Sequence, residues 1–501
     1  MGLRRATLLG LALLCGCNSP VYTAPPADAE APHAGTAADA GAARDTGTAA
    51  DTGTAADTPA GTDTAAATDT PTVTDTSTPK DSPVAADAPA ATDTPAPADA
   101  TPTDAGTITP GDPRPLQFGD LHYLGAFRLP ASRTQPGLEF GGRSLGFNPG
   151  SGGKPSLFVG CFPPMTLIAE VSIPEPVNSP TLAQLKTAQF LQPCSDPGAG
   201  APQALNDING VRNGGILVHE GKLIVSEYFT YDATTSQKAA FFVKPNTDLS
   251  AHNATGPFAV TAPNIGFLDG WIGHVPPAWQ SVLGGPVASG NCCMSIITRT
   301  SFGPAAFAWD PAKLTAGAAA PSTALVYYDS GHTTLGPWDG KSGSIDNKKV
   351  FWNNAGYGYR GGGVIPDVGR SILFFGTQGM GTWCYGCGSP QSPPQCGSEC
   401  TECCFEKVNP GDKGMHAYPY QHQIMAYDLA DLAAVAAGKK APYALVPYAV
   451  WPLTQGLVGV DGVSDLNSGG AAYDPQLHRI YYTTPDTDGS LPLVQVWEVK
   501  P

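Results

Sequence analysis

Residues 470–498 of the chain read GAAYDPQLHRIYYTTPDTDGSLPLVQVWE. Three short runs rich in apolar, aromatic and β-branched residues lie within this segment, at 470–473, 479–483 and 493–498. Residues typical of turns separate the runs, so the pattern predicts three antiparallel strands joined by short connections. A sheet of this kind needs a fourth strand, and the run at 122–128, the first in the globular part of the chain, is predicted to supply it.

Upstream of this segment, similar runs recur in groups of four. Each group begins with a glycine-led run, continues with an apolar run and a run that ends in a turn, and closes with a short outer run. The predicted strands are 144–148, 156–161, 167–173 and 187–191; 214–219, 222–229, 239–243 and 256–260; 271–274, 292–298, 305–309 and 324–328; and 362–366, 371–376, 423–427 and 444–450.

Two of these groups share a similar five-residue sequence after the third run, and this sequence sets the register of the repeat. The third run continues as Asp310-Pro-Ala-Lys-Leu314 in one group and as Asp428-Leu-Ala-Asp-Leu432 in the next. Helical periodicity is scarce, and two short helix candidates stand out, at 276–283 and 429–437.

The repeat predicts an all-β fold, a β-propeller of five four-stranded blades closed by pairing the N- and C-terminal strands of the domain. A single four-stranded sheet exposes two apolar faces, and only neighbouring sheets can cover them. Placing both chain ends in one blade removes the open edges of the ring. Six or seven blades stay open as alternatives, because 331–361 has room for further strands. A β-sandwich or a pair of jelly rolls is the competing fold.

The N-terminus predicts export. Arg4 and Arg5 precede an apolar run at 6–14, and Leu14-Cys-Gly-Cys17 follows. This is the pattern of a secretory signal peptide, and the run is shorter than the roughly 20 residues that a membrane-spanning helix needs. The cysteine at the expected cleavage site, Cys17, resembles the cysteine of the lipobox in bacterial lipoproteins. The resemblance implies a signal peptide at 1–16, lipidation of Cys17, and a chain held by lipid in the bacterial envelope, with the outer membrane as the expected location. A plain secretory signal is the alternative.

Residues 17–112 are predicted to form the lipidated cysteine and a disordered tether. No aromatic residue lies between Tyr22 and Phe118, and alanine, threonine, proline and aspartate dominate. Such a segment has too little apolar surface to offset the entropy of ordering. A six-residue repeat places one aspartate in each unit, at Asp39, Asp45, Asp51, Asp57, Asp63, Asp69, Asp75, Asp81, Asp87, Asp93 and Asp99.

The formal charge of −16 is concentrated in that tether. Residues 21–112 hold 15 acidic and two basic residues, and the signal peptide holds two arginines, so the globular domain at 113–501 carries only −5. A mildly acidic domain without a basic stripe predicts no nucleic acid partner. The expected partners are the membrane, through the lipid anchor, and an extracellular glycan or protein ligand.

Ten cysteines lie in the domain, and an even number in an exported chain is typical of disulfides. Six of them fall in a glycine- and proline-rich insert at 384–404, where cross-links would order a loop that has no core of its own. A zinc site is the alternative, because two CxxC pairs lie near His416 and His422. Cys161 and Cys194 form a candidate local pair. The full set is Cys161, Cys194, Cys292, Cys293, Cys384, Cys387, Cys396, Cys400, Cys403 and Cys404.

In a propeller, the loops that enter the inner strands and the loops between the second and third strands open on the same face. Charged and polar residues of the entry loops are therefore the candidate ligand-binding residues, since arginines that converge can hold a carboxylate or sulfate. The alternative is that these side chains pair with each other and pin the loops. The candidates are Glu139, Arg143, Asn209, Arg212, Asp269, His274, Tyr359, Arg360, Asp461 and Asp465.

Aromatic residues of the neighbouring loops have two interpretations. Together with nearby amides and hydroxyls they suit a carbohydrate or another amphipathic ligand, or they pack the cysteine-rich insert onto the blades. These residues include Tyr228, Tyr231, Trp383, Tyr418 and Tyr420, with Arg299 and His416 beside them.

Several motif matches fail in their context, so no cofactor and no metal is predicted. A GxGxxG match at 356–361 precedes a predicted strand rather than a helix. A GxSxG match at 142–146 places Ser144 at the start of a strand, whereas a nucleophile elbow needs a helix there. Asp486-Thr-Asp488-Gly489 resembles the start of a calcium loop, but no glutamate follows at the required spacing, and a hairpin turn explains it.

Parts of the domain resemble segments of secreted bacterial proteins that have no characterised activity. The resemblance lies in 273–311, which contains Val275-Pro-Pro-Ala-Trp279, and in His416-Ala-Tyr-Pro-Tyr420. It implies no activity and transfers no site.

Two functions follow as hypotheses, and catalytic residues stay unknown. The first is a surface lipoprotein whose propeller loop face binds a glycan or a protein. The second is an enzyme similar to glycoside hydrolases, in which two of Glu139, Asp269, Asp461 and Asp465 act as paired carboxylates. Their separation would be about 5–5.5 Å for retention or about 6.5–9.5 Å for inversion.

Overall fold

The structure of the protein is a computed structural model. It describes residues 113–501 with several gaps, so the predicted signal peptide, Cys17 and the tether lie outside the described residues. The gaps are 151–153, 203–204, 206–209, 233, 293–298, 330–331, 333, 335–361, 382–383, 399, 401, 408–409, 412, 454–456 and 461–467.

The described chain is built mainly of strands. In chain order they are β1 (Leu121–Arg128), β2 (Leu145–Asn148), β3 (Ser156–Gly160), β4 (Ile168–Ser172), β5 (Phe190–Ser195), β6 (Val211–His219), β7 (Lys222–Phe229), β8 (Phe241–Lys244), β9 (Thr255–Val260), β10 (Trp271–His274), β11 (Val287–Gly290), β12 (Ala306–Trp309), β13 (Ala319–Ala320), β14 (Ser322–Val326), β15 (Gly363–Val364), β16 (Ser371–Gly379), β17 (Cys384–Ser389), β18 (Cys403–Phe405), β19 (Lys413–His416), β20 (Tyr420–Asp428), β21 (Ala449–Pro452), β22 (Ala471–Asp474), β23 (Arg479–Asp488) and β24 (Leu491–Val499).

Helices are few and short. Two α-helices are present among the described residues, α1 (Pro277–Leu283) and α2 (Leu429–Ala436), close to where the sequence predicts them. Single 3₁₀ turns lie at Phe118–Asp120, Leu182–Gln184, Ile265–Phe267, Pro311–Lys313 and Pro442–Ala444. None of the helices in the described part of the chain is long and apolar enough to cross a membrane.

Five antiparallel sheets are arranged around an axis as a five-bladed β-propeller, which confirms the predicted fold. From the axis outwards, the blades are β2-β3-β4-β5, β6-β7-β8-β9, β10-β11-β12-β14, β15-β16-β20-β21 and β22-β23-β24-β1. The short strand β13 adds to the outer edge of the second blade, parallel to β9. Because β13 lies between β12 and β14 in the sequence, this pairing connects the second blade to the third.

The fifth blade combines both ends of the domain, as predicted. β1 pairs antiparallel with β24, with Ala126 opposite Gln495 and Arg128 opposite Leu493. The Arg128 guanidinium also donates to the Asp488 carboxylate at 2.6 Å. Three strands from the end of the domain and one from its beginning thus form a single sheet.

Glycines in the innermost strands allow the blades to approach at the axis. The inner strands β2, β6, β10, β15 and β22 contact one another in turn, and β22 contacts β2 to complete the ring. A Cβ atom on Gly214 would lie 2.0 Å from the carbonyl oxygen of Asp269, and one on Gly470 would lie 2.3 Å from the backbone nitrogen of Leu145. The predicted glycine-led runs are therefore positions where backbone packs directly on backbone.

Replacing Gly214 by alanine is expected to lower the free energy of unfolding by about 1–3 kcal/mol, because the methyl group forces two inner strands apart. Gly119→Ala is the matched control, since a Cβ at Gly119 meets nothing within 4 Å. Urea denaturation of both variants measures the difference. Equal stability of the two variants would contradict this account of the ring.

Aromatic side chains fill the spaces between blades. Phe241 of the second blade packs against Trp309 of the third, with ring centroids 4.8 Å apart. Phe147 of the first blade stacks on Tyr481 of the fifth at 6.2 Å, with ring planes 8° apart. Phe241, Trp309 and Tyr481 are fully or almost fully buried, so the core lies between the sheets.

The repeated motif that begins at Asp310 and at Asp428 has a physical cause. Each aspartate ends a third strand and caps the following helical turn, because its side chain accepts a hydrogen bond from the backbone nitrogen two residues later, Ala312 or Ala430. N-terminal caps of this kind favour aspartate. The repeated motif therefore marks the point where each blade turns towards its outer strand.

One predicted strand is wrong. The second strand of the third blade is β11, with Val287 opposite Trp309, and not the run at 292–298, which the structure describes only at Cys292. β11 reads Val-Ala-Ser-Gly, so Val287 is its only β-branched residue and it has no aromatic one. The outer strand of the first blade also begins later than predicted, at Phe190.

The cysteines form disulfides, which confirms that prediction. Cys161 pairs with Cys194, as proposed, and in the insert Cys384 pairs with Cys404, Cys387 with Cys400, and Cys396 with Cys403. The zinc alternative is therefore wrong for these six insert cysteines. Cys292 is also in a disulfide, and Cys293 lies outside the described residues.

The insert folds into a small sheet of its own, in the order β18-β17-β19, between the second and third strands of the fourth blade. Buried polar contacts hold its end against the blade. The Tyr420 hydroxyl donates to the Glu406 carboxylate at 2.6 Å, and His416 Nδ1 lies 3.3 Å from the same oxygen. Glu406, His416 and Tyr420 are at most 1% exposed, so they pack the insert onto the blade.

Candidate functional site

A cavity opens between the first and second blades, on the face where the inner strands begin. The space inside it is about 260 Å³, counting the part that is open to solvent. The starts of β2 and β6 and the ends of β3 and β7 surround it, as expected for entry loops and second-to-third loops that share one face. It is lined by Phe140, Gly141, Arg143, Ser144, Gly160, Cys161, Met165, Arg212, Asn213 and Tyr228.

The loop before β2 delivers Arg143 to the cavity. Gly142, with φ of +78°, donates its backbone N–H to Gly160 and accepts a hydrogen bond from the hydroxyl of Thr483. A Cβ at Gly142 would meet the Pro492 side chain at 2.7 Å. Both the close approach and the positive φ therefore require glycine here.

Phe140 stands at the rim of the same loop. It is 51% exposed and has φ of +60°, which is uncommon for a bulky side chain. Its backbone nitrogen donates to the Ser490 carbonyl at 2.6 Å, and its ring packs edge-on against Phe162 at 5.9 Å. The loop thus holds an aromatic ring in solvent at a cost in backbone strain.

β6 supplies Arg212 and Asn213 to the cavity. The backbone nitrogen of Asn213 donates to the Met165 carbonyl of the first blade at 2.8 Å, which joins the two blades at the cavity floor. The Cys161–Cys194 disulfide begins the loop that carries Met165. The disulfide therefore holds this loop to its own blade, and the hydrogen bond from Asn213 to Met165 connects the loop to the second blade.

The Asn213 side chain is the most unusual group in the cavity. It is 5% exposed, and neither its Oδ1 nor its Nδ2 finds a hydrogen-bond partner among the described residues. Leaving a buried polar group unpaired costs about 1–3 kcal/mol. Arg212 is half-buried and has no ion pair with any residue that the structure describes.

A buried carboxyl group lies next to Asn213 in the sheet. Glu227 on β7 is the cross-strand neighbour of Asn213 and is 5% exposed. Within the described part of the chain its carboxylate accepts no hydrogen bond. Burial raises the pKa of Glu227 from 4.5 to about 8, and the nearby charge of Asp196 acts in the same direction. At neutral pH the group is therefore mostly protonated.

The structure brings Arg143 and Arg212 together and separates the other candidates from them. Asp269 lies before β10, is 2% exposed and does not line the cavity. Burial raises the pKa of its carboxyl well above the usual range, and Asp232 adds to the effect. Glu139 accepts a hydrogen bond from the Ser132 backbone at 2.9 Å, which pins its own loop.

His274 lies at the opposite end of β10 from the entry loop, because the strand runs away from the cavity face. Its Nε2 lies 3.0 Å from the Val218 carbonyl oxygen, and its ring packs near His219 at 5.4 Å. It therefore does not belong with the arginines. The remaining predicted site residues lie outside the described residues: Asn209, Tyr359, Arg360, Asp461 and Asp465.

The motif interpretations agree with the structure where it describes them. Ser144 precedes the strand β2 rather than a helix, so it is not a nucleophile elbow. Asp488 pairs with Leu491 across a hairpin turn at Gly489, as predicted in place of a calcium loop. The GxGxxG match at 356–361 lies outside the described residues, and so does Trp383.

Comparison with known proteins adds no family assignment, since no family model matches the chain and no curated protein matches it.

Proposed function

We propose that the protein is an exported, lipid-anchored binding protein of the bacterial envelope, placed at the outer membrane by Cys17. In this proposal the loop face of the propeller captures an extracellular ligand, a glycan or a protein. One observation carries the proposal. Two arginines from consecutive blades reach one cavity, where a buried asparagine side chain has no hydrogen-bond partner among the described residues.

The polar groups of the cavity fit a ligand better than a structural role. A buried amide that pairs with nothing among the described residues lowers stability. A bound ligand with a hydrogen-bonding group removes this cost. Sites that combine apolar walls with a few convergent polar groups are the usual form of a binding pocket.

The glycoside hydrolase alternative stays a prediction. Of its four carboxylates, Glu139 and Asp269 do not line the cavity, and Asp461 and Asp465 lie outside the described residues. Glu227 has the raised pKa that a general acid needs, but it is not among the residues that line the cavity. Measuring hydrolysis of each glycan that binds separates the two functions.

The test measures ligand binding by the oxidised full chain carrying Cys17→Ser. This substitution is also expected to release the protein from the membrane fraction. Arrays of glycans and of extracellular proteins supply the ligands. Arg212→Ala is expected to weaken binding about 10- to 100-fold, because charge-assisted hydrogen bonds contribute about 1.5–3 kcal/mol. Isothermal titration calorimetry with each ligand found on the arrays measures this change.

Lys222→Ala is the matched control, since it removes an exposed positive charge from the opposite face of the same blade. Its binding is expected to equal that of the parent chain. Ligands whose affinity is the same for the parent and Arg212→Ala would place binding elsewhere and overturn the proposal for this cavity.

A further inference from the structure

Resting on the proposed lipid anchor, we infer that the outer edge of the fourth blade is a docking surface for a phospholipid bilayer. The surface, called here the edge patch, is formed by Phe118, Val446, Tyr448, Val450 and Trp451. Its occupant is the membrane in which the anchor is held. Docking places the propeller on its edge, so the loop face opens sideways and stays accessible to a ligand.

The edge patch concentrates exposed apolar side chains. Phe118, Val446, Tyr448 and Val450 are 36–49% exposed. The ring of Trp451 joins two of them, since its centroid lies 5.8 Å from that of Phe118 and 6.3 Å from that of Tyr448. Single exposed apolar residues are normal on a protein surface, whereas a contiguous group of them marks a site of interaction.

The first residues of the domain hold Phe118 in place. The Arg114 guanidinium donates to both carboxylate oxygens of Asp120, at 2.7 and 2.8 Å, across the turn that carries Phe118. Leu116 is fully buried, and its carbonyl accepts a hydrogen bond from the Tyr448 hydroxyl at 2.8 Å. The ring of Phe118 therefore belongs to an ordered surface, which loses less conformational entropy on docking than a loose segment does.

The point where the chain enters the domain decides the occupant. Residues 18–112 join the proposed anchor at Cys17 to Pro113, and Pro113 lies next to the residues that hold Phe118. The anchored end of the chain therefore reaches the propeller at the edge patch. Attachment to the same bilayer gives even a weak contact a high effective concentration. The bilayer is thus the apolar partner that is covalently tied to this part of the domain.

The residue types of the edge patch suit the interface between a bilayer and water. Tyrosine and tryptophan are enriched there, because each combines an apolar ring with a polar group. Tyr448 and Trp451 lie beside the apolar side chains of Phe118 and Val450. Shallow insertion buries these apolar groups and leaves the backbone at the outer side of β21 within reach of water and headgroups.

Charged residues beside the edge patch are paired. Arg114 contacts Asp120 at 2.7 Å, and Arg370 contacts Asp428 at 2.8 Å. The Arg370 backbone nitrogen also donates to the Arg114 carbonyl, so the two pairs adjoin. Apolar contact rather than net charge therefore drives docking, and anionic lipid is not required.

The same edge is poorly suited to a strand from another protein. β21 is four residues long, Pro447 precedes it by two residues, and Pro452 ends it. Proline donates no hydrogen bond, and short edges that contain proline resist the addition of a further strand. A bilayer needs no directional hydrogen bonds from this edge, so it fits better than an extended peptide.

The experiment is flotation of the oxidised full chain carrying Cys17→Ser with phospholipid vesicles. One set of vesicles is made of phosphatidylcholine, and the other of phosphatidylethanolamine with phosphatidylglycerol. The substitution removes the anchor, so any binding comes from the protein surface. The chain is expected to float with both sets, and raising the salt concentration is expected to leave the bound fraction unchanged, since screening weakens only contacts between charges.

A double variant locates the contact. Phe118→Ala combined with Val450→Thr is expected to lower the partition coefficient about 10-fold or more, because both side chains lose apolar area. Both residues are exposed, and threonine keeps the strand preference of valine, so the fold is expected to survive; circular dichroism checks this. Leu191→Ala is the matched control, because Leu191 is an exposed leucine on the outer strand of the first blade. It is expected to keep full binding.

Each other outcome overturns the docking surface. Absence of flotation, or equal flotation of the parent and the double variant, removes the edge patch as a contact. Flotation only with anionic vesicles that salt abolishes shows an electrostatic contact instead. Dimers in size-exclusion chromatography that the double variant dissociates, without vesicle binding, assign the edge patch to a second copy of this chain.

The anchor itself is tested separately, by mass spectrometry of the chain that keeps Cys17. Lipid on Cys17 together with no flotation of the Cys17→Ser chain overturns docking and leaves the anchored binding protein standing. Absence of lipid on Cys17 overturns the anchor, and with it the reason for assigning the edge patch to a bilayer.

Discussion

Deletion of residues 113–128 is expected to abolish the cooperative fold of the propeller. The deletion removes β1, which is the outer strand of the fifth blade, and with it Leu116, Leu121 and Phe127 from the core. Burying a large apolar side chain contributes about 1.5–3 kcal/mol, and whole domains are stable by only about 5–15 kcal/mol. Three such side chains and a ladder of hydrogen bonds therefore amount to most of the stability. The deletion also leaves β24 with an open edge, which favours aggregation.

Circular dichroism during urea denaturation, together with size-exclusion chromatography, measures the effect. A chain that begins at residue 113 is the control, and it is expected to unfold at the same urea concentration as the full chain. Phe127→Ala in the otherwise intact chain provides a graded test, with an expected loss of about 3–5 kcal/mol. A deletion variant that stays monomeric and unfolds at the control's midpoint would show that β1 does not close the ring.

The fold was predictable from the sequence because the repeat carries two independent signals. Glycine-led runs mark the positions where the inner strands meet, and Asp310 and Asp428 mark the helical turns that they cap. Both signals are local, so a single sequence is enough to detect them. β11 was missed because its four residues are small, and its place in the blade is set by pairing with β12 and by the helix α1 that precedes it. Pairing is a long-range property that residue types do not show.

The candidate site was predictable only in part. Arg143 and Arg212 were chosen because they flank glycine-led strands, and the repeat placed those loops on one face. Asn213 and Glu227 were missed, since their importance depends on burial without a partner, and a sequence shows neither burial nor pairing. Phe140 was missed for a related reason, because an aromatic residue before two glycines gives no sign of positive φ. His274 was predicted to lie in the entry loop, but it is the last residue of the four-residue strand β10 and therefore lies at the opposite face.

Replacement of Glu227 by glutamine is expected to stabilise the protein at neutral pH by about 3 kcal/mol. The carboxyl has its ordinary pKa of 4.5 in the unfolded chain, and burial raises it to about 8 in the folded protein. Below pH 4.5 the group is neutral in both states, so its burial then carries no charge penalty. Between pH 4.5 and 8 the folded protein keeps a proton that the unfolded chain has released. The free energy of unfolding therefore falls by about 1.4 kcal/mol for each pH unit.

Glutamine keeps the shape of the protonated carboxyl and cannot ionise, so Glu227→Gln should remove this slope. The two chains are expected to be equally stable near pH 4.5 and to diverge up to pH 8. Urea denaturation at pH 4.5, 7 and 8.5 measures the divergence. Asp269, whose pKa burial also raises, leaves a residual slope in both chains.

Glu220→Gln is the control, because Glu220 is an exposed glutamate in the turn that joins β6 and β7. It should leave the pH profile of stability unchanged. Parallel profiles for Glu227→Gln and the parent chain would mean that Glu227 is ionised in the folded protein and has a compensating partner. In that case the side of β6 and β7 that Glu227 shares with Asn213 would carry a negative charge at pH 7.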